Sequence, residues 1–379
     1  MPQVLAEHLE YLLLPGRSQL FRDAIAVALK PDDLVADLGC GLGVLGLFCL
    51  EAGASRVWGI DQSDAIHLAR ETVRRAGYGE RYECIAGSTF FTELPERVDL
   101  ILCDHVGFFG FDYGIIGLMR DARRRFLKPD GRMIPQSLDL FVAGVSSDDC
   151  AAKAGAWSQD EIPPFCRWMD ELGRNERYAQ EFGPDDLISA PVALGHVSLA
   201  EDEQDFFRFE AQITAQKAGR FDGIAGWFDC HLAGSVRMTN SPLASESIRR
   251  AQAFLPAGES FPVEAGDVVG VTLRFRADDN LIAWTLVPPG GAPRQQMSTL
   301  RSMILNPADL LHESGLPVRL GRTGEARAFV LSLIDGVRTG EQIVAKVLAE
   351  RPDLLPSEAA IRDFVKSVLA QDGIAGGRP

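Results

Sequence analysis

Asp37-Leu-Gly-Cys-Gly-Leu-Gly43 ends one apolar run and opens a helical one, the setting in which a glycine turn lets ligand and backbone approach closely. Such a turn serves dinucleotides and S-adenosylmethionine alike, so neighbouring charge must decide. Asp37 puts a carboxylate at the head of the turn, where it would repel a pyrophosphate and face a cationic methionine moiety. Asp61, with Gln62 beside it, ends the next predicted strand, where a carboxylate accepts hydrogen bonds from both ribose hydroxyls. Together these residues predict S-adenosylmethionine as cofactor and Gly39, Gly41 and Gly43 as its cradle. Ser88 and Thr89 follow a third strand and fall at the adenine edge; Phe90 beyond them reads equally as core.

A fourth strand delivers Asp104 at its carboxyl end, where ligands sit in open α/β sheets, which makes it the first catalytic candidate. It can orient an amine, amide or hydroxyl acceptor and take its proton. His105 and Tyr113 in the following loop can also move a proton or hold an acceptor, although His105 reads as well as a loop residue fixed by packing. Phe108, Phe109 and Phe111, with Gly107, Gly110 and Gly114 as joints, read either as lining a substrate pocket, the favoured role, or as anchors of the hairpin.

Positioning these groups requires alternating strands and helices. Leu20, Ala24, Val27 and Ala28 have helical spacing ahead of LVADLGCG; RVWGID, a helix over 65–76, RYECIAG and VDLILCD continue the alternation, which implies a parallel sheet. After LKPDGRMIP the pattern changes to strands separated by turns, an antiparallel barrel or sandwich, and PPGGAPRQQ at 288–296 reads as a linker. Beyond about residue 306 three amphipathic helical patterns form a separate module.

The 379 residues provide for two or three domains, and 46% apolar with 24% charged residues describes an ordinary globular chain. A formal charge of −15 argues against a nucleic-acid partner. Arg120, Arg123, Arg124 and Arg125 are expected on a solvated helix face. Seven scattered cysteines without a CxxC pair suggest buried thiols and no metal site. The absence of a long apolar run and of a basic N-terminal flank predicts a cytoplasmic chain with no membrane partner.

From about residue 17 to 290 the chain resembles the protein arginine methyltransferases. Arg17-Ser-Gln-Leu-Phe21 with Ala24-Ile25 looks like that family's R-T-x-x-Y-x-x-A-I stretch, and Gly226-Trp227-Phe228-Asp229 with Thr239-Asn-Ser-Pro242 resembles its W-F-D and S-T-S-P elements. The resemblance implies that Arg17 grips the cofactor carboxylate, that the chain is a homodimer, and that an acceptor guanidinium is clamped by two glutamates after the fourth strand. Here Asp104 stands at the first of these and Tyr113 at the second, with Asp112 beside it; the family's T-H-W is Ser247-Ile248-Arg249. The acceptor is therefore expected to be a peptide or protein, arginine being one candidate. The alternative is a small-molecule N- or O-methyltransferase of secondary metabolism.

The expected architecture is an α/β Rossmann-type methyltransferase domain over 1–145, an antiparallel β-barrel over 146–290 with a dimerisation arm at 148–184, and a small C-terminal helical, winged-helix-like domain over 306–379. The stretch 316–374 resembles the winged-helix modules that bind leader peptides in natural-product biosynthesis. The other reading of that module is packing or dimerisation.

Overall fold

The structure, a computed structural model, describes residues 2–277, 281–302, 319–355 and 357–373. Two helices, α1 (Pro2–Leu13) and α2 (Arg17–Ala28), precede the first strand. The apolar runs then become β1 (Leu34–Leu38), β2 (Arg56–Asp61), β3 (Tyr82–Ala86) and β4 (Val98–Cys103), joined through α3 (Val44–Glu51) and α4 (Ala65–Arg75). With β5 (Leu127–Ile134), reached through α5 (Ile115–Phe126), they form a parallel sheet of order β3-β2-β1-β4-β5. Val35, Ala36 and Leu38 of β1 are all fully buried, because helices cover both faces of the sheet.

Strand β5 contains Lys128-Pro-Asp-Gly131, residues that read as a turn in sequence. They are accommodated because β5 is the sheet's edge and its register against β4 shifts between Val98 and Leu100. Of the arginines of α5, Arg124 is exposed, as expected of a solvated face, but Arg120 and Arg123 are not. Arg120 donates to the Gln204 carbonyl at 2.9 Å, and Arg123 to the Leu199 and Asp202 carbonyls at 3.2 and 3.1 Å, which ties α5 to the loop at 199–205.

The second half is antiparallel. Strands β6 (Ser137–Val145), β7 (Tyr178–Gln180), β8 (Val192–Ser198), β10 (Gly219–Ala233) and β12 (Gln252–Val263) form one sheet of order β7-β12-β10-β6-β8, with β11 (Val236–Thr239) on β10. A second sheet runs β15-β14-β13-β9, from β9 (Phe206–Thr214), β13 (Val268–Arg276), β14 (Leu281–Val287) and β15 (Gln295–Ser298). The stretch 288–296 is not a linker: Gly290 and Gly291, both at positive φ, turn the chain so that β15 pairs with β14, Met297 opposite Trp284. Between β6 and β8 lie α6 (Asp148–Ala154), α7 (Asp170–Arg174) and short single turns. A final turn, α8 (Thr299–Ser302), follows β15.

The chain divides into two compact units, Met1–Ile304 and Leu305–Pro379. The second contains α9 (Arg322–Ser332), α10 (Gly340–Glu350) and α11 (Glu358–Asp372) around Val330, Ile343, Val347, Ile361 and Val365. Thr339 caps α10, accepting from Gln342 N–H while the Gln342 side chain accepts from Thr339 N–H at 2.9 Å. Its described residues are helical and include no strand, so the sheet edge expected of a winged helix is not among them; 306–318 and 374–379 lie outside the described residues. Among the described residues no helix is long and apolar enough to cross a membrane.

Candidate active site

The glycine turn is shaped by close contact. Gly39, Gly41 and Gly43 have φ of +63°, +53° and +78°, where a side chain is strained. A Cβ on Gly39 would lie 2.1 Å from His105 Nε2, and one on Gly41 would lie 2.6 Å from His8 Cε1. Two imidazoles, one from the loop after β4 and one from α1, thus press on the turn. Burial lowers the His105 pKa, so this ring is neutral near pH 7.

Register explains why these groups meet. Leu38 of β1 lies opposite Cys103 of β4, so Gly39 and Asp104 leave the sheet side by side. Asp61 leaves β2 next to them, and its carboxylate accepts from Gly41 N–H at 2.8 Å and from Ser63 N–H and Oγ at 2.8 and 2.7 Å. Gln62 is exposed beside it. Ser88 is half-buried and Thr89 buried; their carbonyls accept from Thr92 Oγ1 and Arg125 respectively, while Phe90 and Phe91 are solvent-exposed and not core.

Asp37 lies wholly inside. Its Oδ2 accepts from Gly46 N–H at 2.9 Å and Tyr82 Oη–H at 3.0 Å. Burial nevertheless pushes its pKa up to about 6, against the pull of those two hydrogen bonds.

Arg17 and Asp104 form an ion pair, both nearly buried. The Arg17 guanidinium also lies 5.6 and 5.2 Å from the Tyr11 and Phe21 ring centres. Burial and the neighbouring Arg250 pull Arg17 down to about 10, which leaves it cationic at neutral pH.

The loop after Asp104 is pinned. Gly107 N–H donates to the Gly110 carbonyl at 3.0 Å, and Asp112 Oδ1 accepts from Phe109 N–H at 2.8 Å. Asp112 Oδ2 lies 3.0 Å from Arg177 Nη1, and burial raises the Asp112 pKa. Phe109 and Phe111 are core anchors rather than substrate-facing rings: Phe109 fills the space left by Gly226, and Phe111 stacks on Phe275 at 3.8 Å. Phe108 and the partly exposed Tyr113 meet edge to face at 5.6 Å, on the side where Arg250 lies 4.9 and 5.1 Å from their ring centres.

Residues 35–131 match the methyltransferase domain family. The chain is 35% identical over 281 residues to protein arginine N-methyltransferase 1 of Schizosaccharomyces pombe, covering 70% of this chain and 80% of that one. The chain belongs to the protein arginine N-methyltransferase family. It is also 24% identical over 270 residues to "Probable protein arginine N-methyltransferase 6" of Arabidopsis thaliana, spanning 60% of that relative's length. A Trypanosoma brucei PRMT1 enzyme-prozyme heterotetrameric complex with AdoHcy shares the fold, with a TM-score of 0.68 at 22% identity over 77% of this chain and 97% of that one.

As an arginine methyltransferase family member, the chain keeps the expected elements but joins them through residues that the sequence patterns did not single out. Asn240, within Thr239-Asn-Ser-Pro242, is fully buried; it accepts from Phe228 N–H at 3.0 Å and donates to the Phe108 and Ala251 carbonyls at 2.8 and 2.9 Å. Trp227 is a core aromatic, its ring centre 6.4 Å from that of Phe141. Arg250 follows the stretch Ser247-Ile248-Arg249, and Arg177 comes from the segment between α7 and β7. His8, Tyr11, Arg177 and Arg250 had no local signal, because each acquires its neighbours only through tertiary contact.

Proposed function

We propose that this chain is an S-adenosylmethionine-dependent methyltransferase acting on an arginine of a peptide or protein. The observation that carries the reading is the side-by-side exit of Gly39 and Asp104 from β1 and β4, with Arg17 paired to Asp104. The cofactor fits the residue types present: a turn of three glycines at positive φ, Gly39, Gly41 and Gly43, and a carboxylate, Asp61, at the strand exit beside it. Gly39, Gly41 and Gly43 would hold its backbone-facing side, Asp61 and Gln62 its ribose, Ser88 and Thr89 its adenine edge, Arg17 its carboxylate and Asp37 its cationic methionine end. Once bound, it supplies an electrophilic methyl group on sulfonium.

Asp104 accepts a hydrogen bond from the acceptor N–H, aims the nitrogen lone pair and takes the proton released. Tyr113 and Phe108 wall the acceptor side. A guanidinium held by Asp104, with Tyr113 in place of a second carboxylate, loses one charge-assisted contact, so acceptor binding rests more on the peptide around it. The family's members favour this protein acceptor over a small molecule. Mass spectrometry of an arginine-containing peptide set incubated with the chain and cofactor should show added methyl groups that vanish when arginine is replaced by lysine. Methylation of metabolites with none of any peptide overturns the reading.

The same proposal makes the chain a homodimer built through the segment 148–184, where Phe165 and Trp168 expose 80% and 55% of their surface. Light scattering should give a dimer mass for the full chain and a monomer for a Phe165→Ser, Trp168→Ser double variant. A monomeric parent chain rejects the role of this arm.

A further inference from the structure

Helix α1 lies over the glycine turn with four of its described leucines turned to solvent. Leu5, Leu9, Leu12 and Leu13 expose 52%, 55%, 39% and 70% of their surface. Two polar side chains on one face, three residues apart, make its contacts with the site: His8 against Gly41 and Tyr11 against Arg250.

Arg250, only 7% exposed, joins three parts of the fold at once. Its Nη2 donates to Tyr11 Oη at 2.8 Å and its Nη1 to the Val106 carbonyl at 2.6 Å. Its guanidinium lies 4.8 Å from the Tyr11 ring centre, 4.9 Å from that of Phe108 and 5.1 Å from that of Tyr113. A planar fork with fixed donor directions can satisfy both oxygens while stacked between rings; a lysine cannot. The Tyr11 ring also lies 5.6 Å from the Arg17 guanidinium, so the contact abuts the Arg17–Asp104 pair.

We propose that Arg250 is a latch: from the barrel it holds α1 down over the Gly39–Gly43 turn and fixes the acceptor loop at Val106, making closure of the cleft and ordering of that loop one event. Arg250 is a positioning residue, acting on the chemistry through Tyr11 and Val106. The link to cofactor retention rests on the reading of the glycine turn given above.

Deuterium exchange on the full chain tests it without any cofactor, and S-adenosylhomocysteine release tests the link. Tyr11→Phe keeps the ring and removes the acceptor; Arg250→Lys keeps the charge and removes the fork. Each should speed exchange across α1 by roughly tenfold, the worth of a charge-assisted hydrogen bond, and Arg250→Lys should also speed it in the loop at 104–114. The double variant should exchange in α1 no faster than the faster single one, because one contact is being removed twice. S-adenosylhomocysteine should dissociate about tenfold faster from each variant. Unchanged exchange in α1, or single effects that add in the double variant, overturns the latch. Faster exchange in a chain that binds no S-adenosylhomocysteine upholds the latch and overturns the cofactor reading instead.

Discussion

Asp104→Asn lowers kcat by roughly a hundredfold or more while affinity for S-adenosylhomocysteine is kept or rises. The amide retains the shape of the carboxylate but no longer takes a proton or attracts a cationic acceptor. The cofactor side should respond in the opposite sense, because under the role proposed for Arg17 a cofactor carboxylate competes with Asp104, its partner here, for the guanidinium. Removing the internal competitor frees that guanidinium for its ligand. The cost falls on stability: a nearly buried arginine left without its partner destabilises the fold by about 2–4 kcal/mol, so the melting temperature drops as well. Single-turnover rates, calorimetric titration and thermal unfolding on one preparation separate the three effects. A loss of less than about threefold in kcat removes Asp104 from the chemistry.

The half of the site that lies on consecutive strands was legible in the sequence, and the half that closes over it was not. The positions of the glycine turn after β1, of Asp61 at the end of β2 and of Asp104 after β4 could be read because parallel strands buried on both faces are continuous apolar runs, whose ends mark where the candidate residues fall. Strand β12 carries Pro256 and Pro262 and shows no alternation, and β5 contains Pro129 and Gly131, so local propensity argued against both. Their partners in the sheets overrode it.

Charge and aromaticity misled for a related reason. An arginine on a helix reads as solvated, yet Arg120 and Arg123 find backbone carbonyls on a loop some eighty residues away in sequence. Phe109 and Phe111 left substrate lining and hairpin anchoring both open, and Gly226 and Phe275 of the barrel, which make a berth for them, decide for anchoring. Tyr11 and Arg250 are 239 residues apart, and no window of sequence contains that pair. What the sequence lacked in each case was the approach of the barrel to the Rossmann-type half, which brings the two sides of the acceptor site together.

Asp37 shows what the cofactor side costs the fold. Its pKa stands at about 6 against an ordinary 3.8, so the folded chain binds this proton more tightly than the unfolded one. The sign follows: no penalty exists below about pH 3.8, stability falls as pH rises from there through 6, and above 6 the loss is constant. At about 1.4 kcal/mol per unit the difference is on the order of 3 kcal/mol. Asp37→Asn should therefore be more stable than the parent chain at pH 8, by up to about 3 kcal/mol, with the advantage shrinking to near zero by pH 4. Urea unfolding of both proteins at several pH values measures it, and an advantage that does not change with pH rejects buried charge as its cause. The same variant should bind S-adenosylhomocysteine more weakly at pH 8, where its parent presents a full negative charge to the ligand's ammonium group. Gly46 N–H and Tyr82 Oη–H would be satisfied equally well by an amide oxygen, so the proposed contact with the cofactor's ammonium group is what would distinguish carboxylate from amide at this position.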